Sequence, residues 1–150
     1  MLNESLSPLE ANSGLLQELQ KRSTPLPKTK GSVLFYQGQR ADGIYLISTG
    51  QAQLSFVSAQ GKVLGSRVAG PNTVLGLPAI ISNQPHSLKA EIIEDSTIAY
   101  VSREQLVDLM RSSTALAIKV IELLGWEVRQ TREMLANASR PGMPGLQVAR

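Results

Sequence analysis

Gln51-Ala52-Gln53-Leu54-Ser55-Phe56-Val57 alternates polar and apolar side chains, with Ala52, Leu54 and Phe56 on one face. A period of two residues is that of a strand with one face buried. Ala59-Gln60-Gly61-Lys62 follows and reads as a hairpin turn, Gly61 supplying the positive φ that other residues resist. Val63 to Val68 is then the returning strand, and Gly70-Pro71-Asn72 is the next turn.

The texture on either side is the same. Upstream, Val33-Leu34-Phe35-Tyr36 ends at Gly38, and Ile44-Tyr45-Leu46-Ile47 ends at a turn around Gly50. Downstream, Ser87 to Glu94 and Thr97 to Val101 are two β-prone runs joined by an expected hairpin at Glu94-Asp95-Ser96. Many short strands separated by turns point to a sandwich or barrel. No helical stretch long enough for a crossover separates them, so the sheet is expected to be antiparallel.

Helices are expected only at the two ends. Leu15, Leu16 and Leu19 share a face behind Ser13, giving a short helix over 13–22 that Thr24-Pro25-Leu26-Pro27 stops. Ser102-Arg103-Glu104-Gln105 has the form of a capping box and opens a helix with Leu106, Leu109 and Met110 inward. Ser112-Ser113-Thr114 restarts the helix, which runs to about Ala138. Along it Ala117, Ile121, Leu124, Val128, Thr131 and Leu135 follow a heptad seam. Such a rod, roughly 37 Å long at 1.5 Å per residue, overshoots a domain this small. The seam is therefore read as a dimer interface, the other reading being one face buried against the chain's own strands.

Composition narrows the function classes. The 150 residues suit one core, and with 42% apolar and 18% charged residues the chain is ordinary globular. There is no cysteine, which excludes disulfides and cysteine-based metal sites and fits a reducing cytoplasm. No basic start followed by an apolar run marks a leader, and the greasiest stretch, Ala115 to Leu124, is broken by Lys119 and Glu122. The net charge of +3 lies in the two ends: residues 43–102 carry three cations and three acids, and 103–138 five of each. No clustered basic face is expected, and so no direct DNA binding by this chain.

Taken in order, several segments resemble the cyclic-nucleotide-binding domain of the catabolite-activator and Fnr (Crp/Fnr) family of bacterial regulators. Lys30-Gly31-Ser32-Val33-Leu34-Phe35-Tyr36-Gln37-Gly38-Gln39 resembles its opening strand and turn. Asp42-Gly43-Ile44-Tyr45-Leu46-Ile47-Ser48-Thr49-Gly50 resembles its next strand and glycine turn. VLGLPAIISNQPHSLKAEI, residues 74–92, is similar to its phosphate-binding cassette, and 103–138 to its last short helix and long dimer helix. The resemblance implies an α+β, mainly β fold: an antiparallel β-roll (a double-stranded β-helix, jelly-roll-like) with a short N-terminal helix and a long C-terminal dimerisation helix. The expected division is an N-terminal segment 1–28, the roll 29–102, helices 103–138 and a disordered tail 139–150.

In family members that bind cyclic AMP, the cassette begins Gly-Glu and later carries Arg-Ser or Arg-Thr. The resemblance puts Gly76 at the glycine, Leu77 at the glutamate, Ala79 in the cassette, His86 at the arginine, Ser87 at the serine, and Thr131 where the long helix reaches the base. Leu77 accepts no hydrogen bond, and His86 is mostly neutral at pH 7 with no bidentate fork. The two losses sum to on the order of 3–6 kcal/mol, or two to four decades of affinity. Pro78 removes a further N–H from the cassette's short helix.

Other candidates carry two readings each. His86, the only histidine, is a ligand contact or pH switch, or a turn residue with no role. One imidazole without cysteine or clustered acids completes no metal shell. Trp126 is a hot spot at a partner surface or packing over its own roll. Arg129 and Arg132 are a nucleic-acid contact or, with Glu127 and Glu133 nearby on the same helix, a solvated, paired surface, the reading taken here. Asp42, Glu91, Glu94 and Asp95 form no catalytic pair, and no nucleophile elbow, P-loop or dinucleotide fingerprint is present.

The expectation is a non-enzymatic, cytoplasmic, homodimeric sensor or interaction module, with no cofactor, metal or membrane contact. Its degenerate cassette takes an effector of unknown identity, or none. The alternative is the effector-binding domain of a Crp/Fnr-type regulator whose DNA-binding domain is missing from this chain, since the twelve residues after the long helix are too few for a helix-turn-helix reader.

Overall fold

The computed structural model describes Leu9 and residues 13–138, so the expected disordered tail 139–150 lies outside the described residues. Its elements run α1 (Ser13–Lys21), β1 (Thr24–Lys28), β2 (Val33–Phe35), β3 (Gly43–Val57), β4 (Val63–Ala69), β5 (Val74–Leu75), α2 (Leu77–Ser82), β6 (Lys89–Ser102), α3 (Arg103–Ser112) and α4 (Thr114–Ala138). Every strand pairing is antiparallel, within one sheet ordered β1-β6-β3-β4, with β2 also on β6 and β5 also on β3.

The backbone of the roll is the long ribbon of β3 and β6, paired from Gly43↔Ser102 to Ser55↔Lys89. Two sequence expectations are corrected here. Gly50 does not end a strand, and Glu94-Asp95-Ser96 is not a hairpin turn: both long strands continue through these points. What occurs instead is a shared bend. The register shifts between Ile47 and Ala52, and Gly50 takes φ +97°. The Ser96 hydroxyl accepts from Gln51 N at 3.1 Å and donates to Glu94 O at 2.6 Å, and the Thr49 hydroxyl accepts from Thr97 N at 3.2 Å. Side-chain hydroxyls thus satisfy backbone groups that the disrupted ladder leaves over.

The neighbours of the ribbon change at this bend. On one side of it, β1 lies along residues 96–100 of β6 and β5 along Tyr45 and Leu46. On the other, β2 lies along Ala90 and Glu91 and β4 along Ala52 to Val57. β1 was not foreseen, because Pro25 and Pro27 argue against a strand. It is an edge strand, where a missing N–H costs no ladder bond.

The local features read from the sequence hold. Gly61 (φ +86°) closes the 58–62 turn, Ser58 N donating to Lys62 O at 2.8 Å. The capping box is complete: Ser102 Oγ accepts from Gln105 N at 3.1 Å and Gln105 Oε1 from Ser102 N at 2.9 Å. Two apolar clusters result. One, with Leu15, Leu19, Ile44, Leu46, Leu77, Ile80, Leu106, Leu109, Val120 and Leu123, joins the helices to the first half of the ribbon. The other, with Phe35, Ile47, Ala52, Leu54, Leu75, Ala90, Ile92 and Ile98, fills the roll.

The bend makes a specific demand at Gly50. A Cβ there would lie 2.0 Å from Ser96 Oγ, whereas one at Gly61 would meet nothing within 4 Å. Gly61→Ala is expected to cost about 1–2 kcal/mol from conformation alone, and Gly50→Ala at least about 3 kcal/mol, since overpacking adds to it. Urea denaturation of both variants checks this, and equal losses would contradict a bend built around Gly50.

Candidate functional site

The roll opens on a cavity of about 40 Å³ lined by Phe35, Leu54, Arg67, Leu75, Gly76, Pro78, Ala79, His86, Ser87, Leu88, Glu127 and Thr131. That is room for no more than a few waters; small-molecule sites typically run from roughly 300 Å³ upward. Of the six residues expected to contact ligand, Gly76, Ala79, His86, Ser87 and Thr131 lie on its wall. Leu77 does not. It is fully buried in the helix-side cluster with Ile44, Leu46 and Leu106, so the first turn of α2 sends its side chain into the core.

The cassette's path follows from its turn residues. Gly76 sits at φ +91° before α2, and Asn83 ends that helix at φ +57°. A side chain on Gly76 would lie 3.1 Å from His86 Cε1, so glycine lets the imidazole in. Two backbone bonds then fix His86 itself: its N–H donates to Gln39 O at 2.9 Å, and its carbonyl accepts from Gly38 N at 2.7 Å. The ring is 4% exposed and stacks on Phe35, centroids 3.7 Å apart and planes 10° from parallel. Burial pushes its pKa below the ordinary value of 6.5, only partly opposed by the negative charge of Asp42. At neutral pH His86 is a neutral, stacked wall of the cavity.

Two cavity residues were missed by the sequence reading. Arg67, on β4 opposite Leu54, turns its guanidinium in toward α4 and has a buried Nε without a hydrogen-bond partner. Glu127 is 3% exposed and its Oε1 also lacks a partner. The expectation that Glu127 belongs to a solvated, paired surface is thus corrected, while Arg129, Arg132 and Glu133 are exposed. A signal was present: Val120, Leu123, Glu127 and Met134 are the buried residues of α4 and share one helical stripe. Burial raises the Glu127 carboxyl to about 8, Arg67 opposing it, and burial lowers the Arg67 pKa, Glu127 opposing that.

The expected seam lies on another side of α4. Ile121 is 57% and Val128 43% exposed, with Ala117, Leu124, Thr131 and Leu135 half-buried between the two faces. Trp126 and Leu124 pack partly against the helix-side core. Among the described residues no group of His, Cys, Asp or Glu is placed to hold a metal ion, and no helix is long and apolar enough to cross a membrane.

The raised Glu127 pKa carries a sign that is open to test. In the unfolded chain this carboxyl ionises near its ordinary value of 4.5, and in the fold only near 8. Folding between these values takes up a proton, so its contribution falls as pH rises through that window. Glu127→Gln removes the effect. Its stability relative to the unmodified chain should improve by at least about 1 kcal/mol from pH 5 to pH 9, as read by urea denaturation at each pH. A difference that does not change with pH would show an ordinary, solvated carboxylate.

Comparison with known proteins agrees with this architecture. Residues 27–113 match the family described as the cyclic nucleotide-binding domain. The "Anaerobic regulatory protein" of Bacillus subtilis is 22% identical over 135 residues, 89% of this chain and 57% of that protein. The "Cyclic AMP receptor protein" of Thermus thermophilus is 26% identical over 129 residues, again 86% of this chain against 57% of the relative. The chain thus spans a little over half the length of these curated relatives. The crystal structure of the Thermus thermophilus catabolite activator protein superposes with a TM-score of 0.71 at 22% identity, covering 89% of this chain and 63% of that one. The sensor domain of the transcriptional regulator DNR from Pseudomonas aeruginosa gives 0.62 at 22%, covering 84% and 83%. At such identities the structural likeness speaks for the fold. With the family match over more than half of its residues, the chain belongs to the cyclic nucleotide-binding domain family, and its relatives are Crp/Fnr-type regulators.

Proposed function

We propose that this chain is a non-enzymatic effector-sensing module of the cytoplasm, dimeric through α4, whose cassette does not hold cyclic AMP or cyclic GMP in the usual way. The observation that carries the reading is His86: a neutral imidazole, stacked on Phe35 and buried, on the wall where the family's pattern calls for a guanidinium. Losing the charged hydrogen bonds to a phosphate costs about 1.5–3 kcal/mol, or one to two decades of affinity. The cavity of about 40 Å³ adds to this, because a nucleotide has to open it before entering.

The dimer rests on the apolar face of α4. Ile118, Ile121 and Val128 are exposed large hydrophobics on one helix, while Val120, Leu123 and Met134 already cover the roll. A helix with a second, solvent-facing apolar stripe is stabilised by pairing that stripe with another like it. A second reading is favoured by the relatives' lengths: the same module would serve as the effector half of a longer regulator, its DNA-reading part lying outside this sequence.

Calorimetric titration with cyclic AMP tests the ligand part. The expected result is no saturation in the micromolar range, and a micromolar Kd would overturn it. Sedimentation tests the assembly. The chain should run as a dimer at tens of micromolar, and Ile121→Glu with Val128→Glu should make it monomeric with an unchanged circular dichroism spectrum. A monomer before substitution counts against the seam.

A further inference from the structure

We infer that a groove on the roll, separate from the cavity, binds a small aromatic zwitterion, of the kind a free aromatic amino acid is, between Lys28 and Asp42 and against the Tyr45 and Tyr100 rings. The groove is lined by Leu26 and Lys28 of β1, Leu34 of β2, Asp42, Tyr45 of β3 and Tyr100 of β6, and has a volume of about 350 Å³. That is the size of a small-molecule site, and no lining residue is shared with the cavity. Its aromatic wall is held from several sides. Tyr45 and Tyr100 are register partners in the ribbon, their ring centroids 5.3 Å apart and their planes tilted by 53°. The Phe35 ring stands against Tyr45 at 5.7 Å. A Cβ at Gly43 would lie 2.6 Å from the Tyr100 ring, so glycine there makes room for it, and the Tyr100 hydroxyl donates to Asp42 O at 3.1 Å. A wall fixed before binding costs little to order on binding.

Lys28 and Asp42 bring opposite charges to one groove without meeting: among the described residues neither takes part in an ion pair. An anion answers Lys28 and is repelled by Asp42, and a cation does the reverse. A neutral apolar molecule covers the rings and answers neither charge. An aliphatic zwitterion answers both charges and leaves the rings without a stacking partner. An α-amino acid with an aromatic side chain meets all of these demands: its carboxylate faces Lys28, its ammonium faces Asp42, and its ring packs on the tyrosine pair, with Leu26 and Leu34 completing the apolar wall. Asp42 is exposed and Lys28 half-buried, so each ion pair adds only modestly. For a ligand of this size the affinity falls in the millimolar range or somewhat below.

NMR-detected titration of the whole chain with L-phenylalanine, its amide, its N-acetyl derivative and L-leucine tests this without any substitution. L-Phenylalanine should saturate in that range. The amide lacks the carboxylate, the N-acetyl derivative the ammonium and leucine the ring, and each should bind at least about threefold more weakly. Lys28→Met and Asp42→Asn should each weaken L-phenylalanine binding by at least about threefold with the circular dichroism spectrum unchanged. Lys28→Met should also narrow the gap between L-phenylalanine and its amide, because the carboxylate then has no cation to meet. No saturation by L-phenylalanine, equal affinity for all the ligands, or full affinity in both variants overturns the assignment. Because these ligands carry neither phosphate nor base and the groove lies apart from the cavity, none of these outcomes bears on the cyclic AMP titration, and each reading fails separately.

Discussion

Everything about the site follows from the common bend in β3 and β6. A straight two-stranded ribbon of this length would present one continuous face. With Gly50 at φ +97° and the Ser96 hydroxyl occupying the space a side chain there would need, both strands turn at one level. The ribbon's partners change at that level, β1 and β5 on one side and β2 and β4 on the other. The sheet therefore curls on itself, separating a core shared with the helices from a core inside the roll. The cavity lies beside the inner core, closed by the cassette and by α4.

That geometry divides the labour on α4 by helical phase. Val120, Leu123, Glu127 and Met134 face the roll, and Ile121 and Val128 face away. Thr131 and Glu127 on this one rigid element touch the cavity wall. The first turn of α2 divides similarly: Gly76, Pro78 and Ala79 border the cavity while Leu77 is spent on the core. The charged groups inside the roll come from a strand and a helix flanking the cassette, and the cassette contributes the His86 ring, stacked on Phe35 of β2, the Ser87 hydroxyl and small or apolar side chains.

How much of this was legible depends on where the information sits. The 58–62 turn and the Ser102–Gln105 capping box are short-range devices, and both are where their residues put them. The strands around Ala52 and Leu54 were equally local. Gly50 was misread because a positive-φ glycine in a turn and one in a bulged strand look alike until the partner strand is known. Glu94 and Asp95 misled for the same reason. β1 was hidden by two prolines whose tolerance depends on the strand lying at an edge, a fact of topology. Arg67 and Glu127 are charged residues inside, which composition argues against, and only the phase of α4 and the pairing of β4 bring them together.

The presence of a single histidine allows the central claim to be read from one signal. An NMR pH titration of the His86 ring protons should show resonances displaced upfield by the face of Phe35, with a titration midpoint below the ordinary 6.5 set by burial in the cavity wall. Ring protons at solvent-exposed positions with a midpoint at or above 6.5 would mean an accessible imidazole available to an anion, and would contradict the account.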